Sequence, residues 1–84
     1  MKEWTVILEI FLKEGIFDPQ GKTIRNALHS LDFEEVKDVR VGKVLKIKLM
    51  GNSEEEVMEK VRKMSEIVLV NPVTEDFSIR VERE

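Results

Sequence analysis

The sequence predicts an α+β domain in which two helices cover one face of a four-stranded antiparallel sheet. Two observations support this class. In some stretches apolar residues alternate with a period of two, typical of strands, and in others they recur at i, i+3, i+4 and i+7, typical of amphipathic helices. These stretches follow the order β-α-β-β-α-β, which gives a two-layer sandwich of the ferredoxin-like kind. With 84 residues the chain forms a single domain, residues 1–84.

The first half of the chain supplies one strand and one helix. A strand is predicted over residues 3–12, where every second residue from Trp4 to Leu12 is apolar. The residues Asp-Pro-Gln-Gly at 18–21 predict a turn, because proline fixes φ and glycine tolerates a positive φ. A helix is predicted over about residues 20–31, and its apolar face consists of Ile24, Ala27, Leu28 and Leu31.

The second half of the chain supplies three strands and one helix. Two strands, Val36–Val41 and Val44–Met50, are predicted to form a hairpin in which Gly42 has the positive φ of a tight turn. Ser53 and Glu56 have the spacing of a capping box, and Asn71-Pro72 ends the helix that follows. The last strand is predicted to run from about Val73 or Thr74 to Val81. The buried stripe of the second helix is predicted to be Val57, Val61, Met64 and Val68.

The sheet face opposite the helices is predicted to carry apolar residues that a chain of this size leaves uncovered. Exposed apolar sheet surface usually marks an interface. The sequence therefore predicts oligomerisation through the sheet, as a homodimer or a higher homo-oligomer. The predicted interface residues are Ile7, Phe11, Val36 and Val44.

Composition excludes several classes of function. The chain has no cysteine and one histidine, so thiolate catalysis, disulfides, thiolate metal sites and two-histidine metal sites are excluded. A net charge of −3 provides no global field for nucleic acid or an anionic membrane. No stretch has the length of a membrane span or the pattern of a signal peptide, so we expect a cytoplasmic protein. Neither a P-loop nor a GxGxxG motif is present.

Three turn-like sites remain after these exclusions: Asp18-Pro19-Gly21, Gly42-Lys43 and Asn71-Pro72-Val73. Each site taken alone reads as an ordinary turn. The residues by themselves therefore indicate a small oligomerising or docking module.

In their order and spacing, these sites resemble the PurS family, the small subunit of phosphoribosylformylglycinamidine synthase (formylglycinamide ribonucleotide amidotransferase). The matching segments read DPQGKTI at 18–24, VRVGK at 39–43 and LVNPVTEDF at 69–77. Thr74 stands where the family commonly has Ile or Val. The resemblance extends over essentially the whole chain.

The resemblance implies a subunit with no catalytic residue and no cofactor of its own. The large synthetase subunit would use ATP and Mg²⁺, a glutaminase subunit would release ammonia, and the small subunit would hold the two together for ammonia transfer. The residues expected to contact partners or shape loops are Asp18, Pro19, Gly21, Gly42, Lys43, Asn71 and Pro72. Lys43, at the expected hairpin tip, is the one most expected to contact a partner directly.

Two other classes stay open at this point. A ferredoxin-like regulatory module could bind a small ligand such as an amino acid near Asp18 and Gly21. A purely structural oligomer is the third alternative.

Overall fold

A computed structural model describes residues 1–82 and confirms an α+β fold with two helices and an antiparallel sheet. A short π-helix continues the second helix and leads toward the last strand. The elements are β1 (Lys2–Leu12), α1 (Pro19–Ser30), β2 (Gly42–Gly51), α2 (Glu54–Met64), the π-helix (Ser65–Leu69) and β3 (Glu75–Glu82).

The sheet has the strand order β2-β1-β3, and both pairings are antiparallel. Leu8 on the central strand lies opposite Leu45 on one side and Ile79 on the other. The alternating apolar residues of all three strands therefore share one face, as their period of two predicts. On that face the buried core consists of Val6, Leu8, Ile10, Val57, Val61 and Val70.

The predicted strand Val36–Val41 is the main difference from the sequence-based fold. Within the described residues the sheet has three strands, and the element order is β-α-β-α-β. Side chains of the α1 region engage the backbone of residues 36–41: the Val36 carbonyl lies 2.7 Å from His29 Nε2, and the Val41 N–H donates to Asp18 Oδ2 at 2.7 Å. There is accordingly no hairpin at Gly42-Lys43, and Gly42 begins β2 opposite Phe11 without a positive φ.

Helix α1 and residues 31–41 together form what we call the arm, residues 19–41. The helix ends in a Schellman motif, in which Asp32 has a φ of 72° and the Phe33 N–H donates to the Leu28 carbonyl at 3.0 Å. The chain then runs back along α1 toward the sheet. Helix α2 packs on all three strands, whereas α1 makes at most marginal contact with any other described element. The prediction that both helices cover the sheet thus holds for α2 and is wrong for α1.

The π-helix changes which residues of the second helix face the core. Val57 and Val61 are buried as predicted, but Met64 and Val68 are 37% and 75% exposed. A π-turn adds one residue to the helical repeat and so rotates everything after it. Leu69, rather than Val68, therefore packs against the core, and Val70, the extended residue after the π-helix, is buried beside Leu8 and Ile10.

The outer face of the sheet is more polar than predicted. Ile7 is already buried within the chain, at 6% exposure, and Val36 does not lie on the sheet. Around Ile7 lie two ion pairs, Glu9–Arg80 at 2.7 Å and Lys46–Glu82 at 3.4 Å. The exposure expected for Ile7 and the sheet position expected for Val36 are therefore wrong. Phe11 and Val44 do lie exposed, and their role in an interface stays a prediction.

Candidate partner-contact site

The three motifs identified in the sequence meet at one end of the sheet, where β1 ends and β2 and β3 begin. Phe11 lies opposite Gly42, and Leu12 lies opposite Glu75. We call this region the motif end and define it as residues 13–21, 38–43 and 71–76. All seven predicted site residues belong to it.

Asp18 joins the first motif to the second. Its Oδ1 accepts the Gly21 N–H at 2.9 Å, which caps α1, and its Oδ2 accepts the Val41 N–H at 2.7 Å. The hydrogen bond from Val41, followed by that from Gly21, holds the pKa of Asp18 below its ordinary value. Pro19 occupies the first turn of α1, where its missing N–H costs no helical hydrogen bond.

Gly21 is required by the close approach of α1 to residues 38–41. A Cβ at this position would collide with the backbone carbonyl oxygen of Val39, which cannot rotate away as a side chain could. Gly42 lies equally close to β1, because a Cβ there would meet the Phe11 ring and the Ile10 carbonyl. Both glycines therefore have a packing role, and neither has a positive φ.

Arg40 is a site residue that the sequence-based set omitted. Its guanidinium donates to the carbonyl oxygens of Lys13 and Ile16, at 3.1 Å each, and of Leu12 at 3.4 Å. It thereby fixes the loop between β1 and α1. The VRVGK motif contains this arginine, but its partners are backbone carbonyls that no sequence pattern marks.

Lys43 lies within β2 opposite Ile10, rather than at a hairpin tip. Its Nζ is 3.8 Å from Glu75 Oε2, and its side chain is 59% exposed. An exposed pair of this length contributes little to stability. The ammonium group thus has a weak partner within the chain and stays accessible to a second one.

The third motif forms a turn stabilised by its own side chains. Asn71 Oδ1 accepts the Val73 N–H at 3.0 Å, and the Asn71 N–H donates to Glu75 Oε1 at 2.8 Å. Glu75, which the predicted set also omitted, therefore contacts both Asn71 and Lys43. Pro72 lines an open pocket of about 260 Å³ beside the π-helix.

Lys13 contacts both of the other segments of the motif end, residues 38–43 and 71–76. Its N–H donates to the Thr74 carbonyl at 2.8 Å, its carbonyl accepts from Arg40, and its Nζ pairs with Asp76 at 2.6 Å. The polar contacts described here fix the shape of loops.

Among residues 1–82, no cluster of three or more acidic or histidine side chains is arranged to hold a metal ion. No helix within that range has the length and hydrophobicity needed to cross a bilayer.

The fold and the site define a class: small α+β proteins in which distant turn motifs, held by backbone hydrogen bonds, build one surface at the end of a sheet. The family model for PurS, described as phosphoribosylformylglycinamidine (FGAM) synthase, matches residues 5–83. The chain belongs to the PurS family, as its sequence motifs predicted.

Individual relatives agree with this assignment over nearly their whole length. The PurS subunit of phosphoribosylformylglycinamidine synthase from Methanocaldococcus jannaschii is 42% identical, covering 99% of this chain and 98% of that one. Its Bacillus subtilis counterpart is 38% identical, covering 94% and 93%.

Solved structures show the same relationship. The crystal structure of M. jannaschii PurS, a subunit of formylglycinamide ribonucleotide amidotransferase in the purine biosynthetic pathway, has a TM-score of 0.84 at 40% identity and covers 96% of this chain and 98% of that one. A chain in the structure of PurLQS from Thermotoga maritima has a TM-score of 0.89 at 29% identity, covering 98% and 100%.

Proposed function

We propose that this chain is the small, non-catalytic subunit of phosphoribosylformylglycinamidine synthase in de novo purine biosynthesis. In this role it bridges the ATP-dependent synthetase subunit and the glutaminase subunit and assists the passage of ammonia between them. The observation that carries the proposal is the full-length match to the chain in the PurLQS structure. The motif end supports it, because its residues build a surface rather than a reaction centre.

The chemistry of the reaction is consistent with catalysis by the other two subunits and not by this chain. A glutaminase that works through a thioester needs a cysteine, and this chain has none. Both oxygens of Asp18, the most buried carboxylate of the motif end, are taken by backbone N–H groups. Ammonia released into water becomes protonated and loses its nucleophilic electron pair. A bridge that keeps water away from the route therefore protects the nitrogen until it reacts.

The arm supports the further proposal that two copies of the chain pair. Ile24, Leu31 and Phe33 on the arm are 39%, 67% and 48% exposed. The Cα radius of gyration is 16.5 Å, against about 12 Å for a compact chain of this length. On the core face of β2, Leu45, Ile47 and Leu49 are only partly buried. In a pair of chains, the apolar residues of each arm would cover the partly buried sheet of the other copy.

Assembly tests the bridging role. The synthetase and glutaminase subunits are sedimented together with and without this chain. We expect the glutaminase to move with the synthetase only when the chain is present, and the chain to appear in the same boundary. Co-sedimentation of the two large subunits without the chain would contradict the bridge.

A small-ligand regulator is the alternative function, and calorimetry separates it from a bridge. Asp18 and Gly21, the residues proposed to hold an amino acid, are occupied within the chain by Val41 and Val39. We therefore expect no saturable heat when glutamine is titrated into the purified chain. Saturable binding would favour the regulator.

A further inference from the structure

An open pocket of about 300 Å³ lies between the first turns of α1 and residues 38–40, on the arm side of the motif end. Phe17, Asp18, Lys22 and Arg25 line it from the helix side, and Asp38, Val39 and Arg40 line it from the returning segment. Asp18, which accepts the Val41 N–H, and Gly21, which lies against the Val39 carbonyl, help to hold these two segments together.

Most charged groups in this pocket already have partners inside the chain. Asp18 accepts two backbone N–H groups, and Asp38 accepts the Val39 N–H at 3.0 Å. The guanidinium of Arg40 is directed at three backbone carbonyls. Neither carboxylate nor Arg40 therefore needs a ligand.

Lys22 and Arg25 differ from these groups. The Lys22 ammonium lies 5.8 Å from the centroid of the Phe17 ring. The Nε atom of Arg25 is shielded from solvent and has no hydrogen-bond acceptor among residues 1–82. A shielded N–H without an acceptor is unfavourable, and native structures rarely leave one so. Because Nε itself is closed to solvent, a ligand in the pocket would contact the outer nitrogens of the Arg25 guanidinium first. The two side chains stand at i and i+3 on α1 and lie on the same side of the helix.

We infer that this pocket binds one carboxylate, the side chain of an Asp or Glu presented by a partner subunit of the synthase. Arg25 is its principal donor and Lys22 its second. The inference rests on the proposed function. With all groups ionised, the three cations and two carboxylates that line the pocket leave a net charge of +1, which matches one carboxylate. The guanidinium fork also fits the two oxygens of that group.

The rim of the pocket favours a protein ligand over a free ion. Phe17 is 66% exposed beside the two cations, so it offers an apolar surface to the chain that carries the carboxylate. Aromatic and arginine side chains together are characteristic of the residues that dominate protein interfaces.

Carbodiimide cross-linking of the assembled complex tests this inference directly. The reagent joins an amine to a carboxylate in contact with it, so we expect an amide bond between Lys22 and an Asp or Glu of the synthetase or glutaminase subunit, identified by mass spectrometry. A Lys22 cross-link to a second copy of this chain would overturn the inference.

Variants measure the contribution of the pocket. Arg25→Gln and Lys22→Glu should each raise the Kd for the partner subunit at least tenfold, with the self-association and Tm of the chain unchanged. Lys63→Glu, on the exposed surface of α2, is the matched control and should leave the Kd within about twofold. Equal Kd values for all three variants would contradict a role of the pocket in partner binding but would leave the bridging role intact. A wild-type chain that binds neither subunit would overturn both.

Inorganic phosphate distinguishes a free-anion site from a protein contact. The Arg25 Nε–H resonance of the isolated chain is followed during titration with sodium phosphate. We expect no saturation at low millimolar concentrations. Saturable binding that Arg25→Gln abolishes would identify a small-anion site and overturn the inference.

Discussion

Asp18 is the residue on which the shape of the motif end most depends. It accepts N–H groups from Gly21 and from Val41, 23 residues further along the chain. The same carboxylate therefore starts α1 and ends the arm. Sequence alone predicts the local half of this role, because Asp before Pro at a helix start is a strong capping signal. The bond to Val41 depends on the tertiary path of the arm, which no local pattern encodes.

The stability of the chain should depend on pH through Asp18. Hydrogen bonds from Val41 and Gly21 lower the pKa of this group in the folded state below the ordinary 3.8. Its contribution to stability is then fully present above the unfolded pKa and is lost as pH falls through the folded pKa. Asp18→Asn should lower Tm at pH 7 by a few degrees.

The difference in Tm between wild type and Asp18→Asn should shrink as pH falls below 3.8. Thermal unfolding followed by circular dichroism at pH 7, 4 and 3 measures it. Gln20→Ala, on an exposed position of the same helix, is the control and should show no such dependence. A deficit that stays constant down to pH 3 would mean that the charge of Asp18 makes no contribution.

At the scale of elements, the strands β1, β2 and β3 and both helices follow from periodicity, whereas two other features do not. Val39 and Val41 alternate like strand residues, yet the Val36 carbonyl and the Val41 N–H are engaged by His29 and Asp18 rather than by a strand. The apolar pattern with a 3.6-residue period likewise does not predict the π-helix. Both errors arise because hydrogen bonds formed at long range or with unusual spacing decide the backbone path.

The π-helix makes a clear prediction about two valines seven residues apart. Val61 is fully buried, whereas Val68 is 75% exposed. We expect Val61→Ala to cost about 2 kcal/mol because it leaves a cavity in the core. The matched change Val68→Ala should alter the free energy of unfolding by less than about 0.5 kcal/mol. Urea unfolding of both variants measures the difference. Equal losses would indicate a continuous α-helix through residue 68.

At the scale of the whole molecule, the chain is thin and long, with extents of 52 × 31 × 14 Å. One half has a sheet covered by α2, and the other half is an arm whose apolar residues face solvent. The sequence correctly indicated that apolar surface would remain uncovered, and Phe11 and Val44 do lie exposed on the outer face of the sheet. It missed the exposed apolar residues of the arm, because it assumed that α1 would fold back over the sheet. An amphipathic pattern identifies the apolar face of a helix, but it does not indicate whether the same chain or a second chain buries that face.

Self-association should therefore depend on the arm. Ile24→Glu places a charge on the exposed apolar stripe of α1, and burying an unpaired charge is strongly unfavourable. We expect this variant to sediment as a monomer while the wild type sediments as a dimer or larger. Asn26→Glu, an exposed polar position of the same helix, is the control and should behave as wild type. A well-folded monomeric wild type would contradict pairing through the arm.

In the proposed function this chain transfers no atoms itself but allows nitrogen from glutamine to reach the synthetase. The most direct measurement is amidine formation by the synthetase and glutaminase subunits with and without this chain, using either glutamine or a high concentration of ammonium salt. We expect the chain to raise the glutamine-dependent rate strongly and to change the ammonium-dependent rate little. A glutamine-dependent rate that is the same without the chain, or hydrolysis of glutamine or ATP by the chain alone, would contradict it.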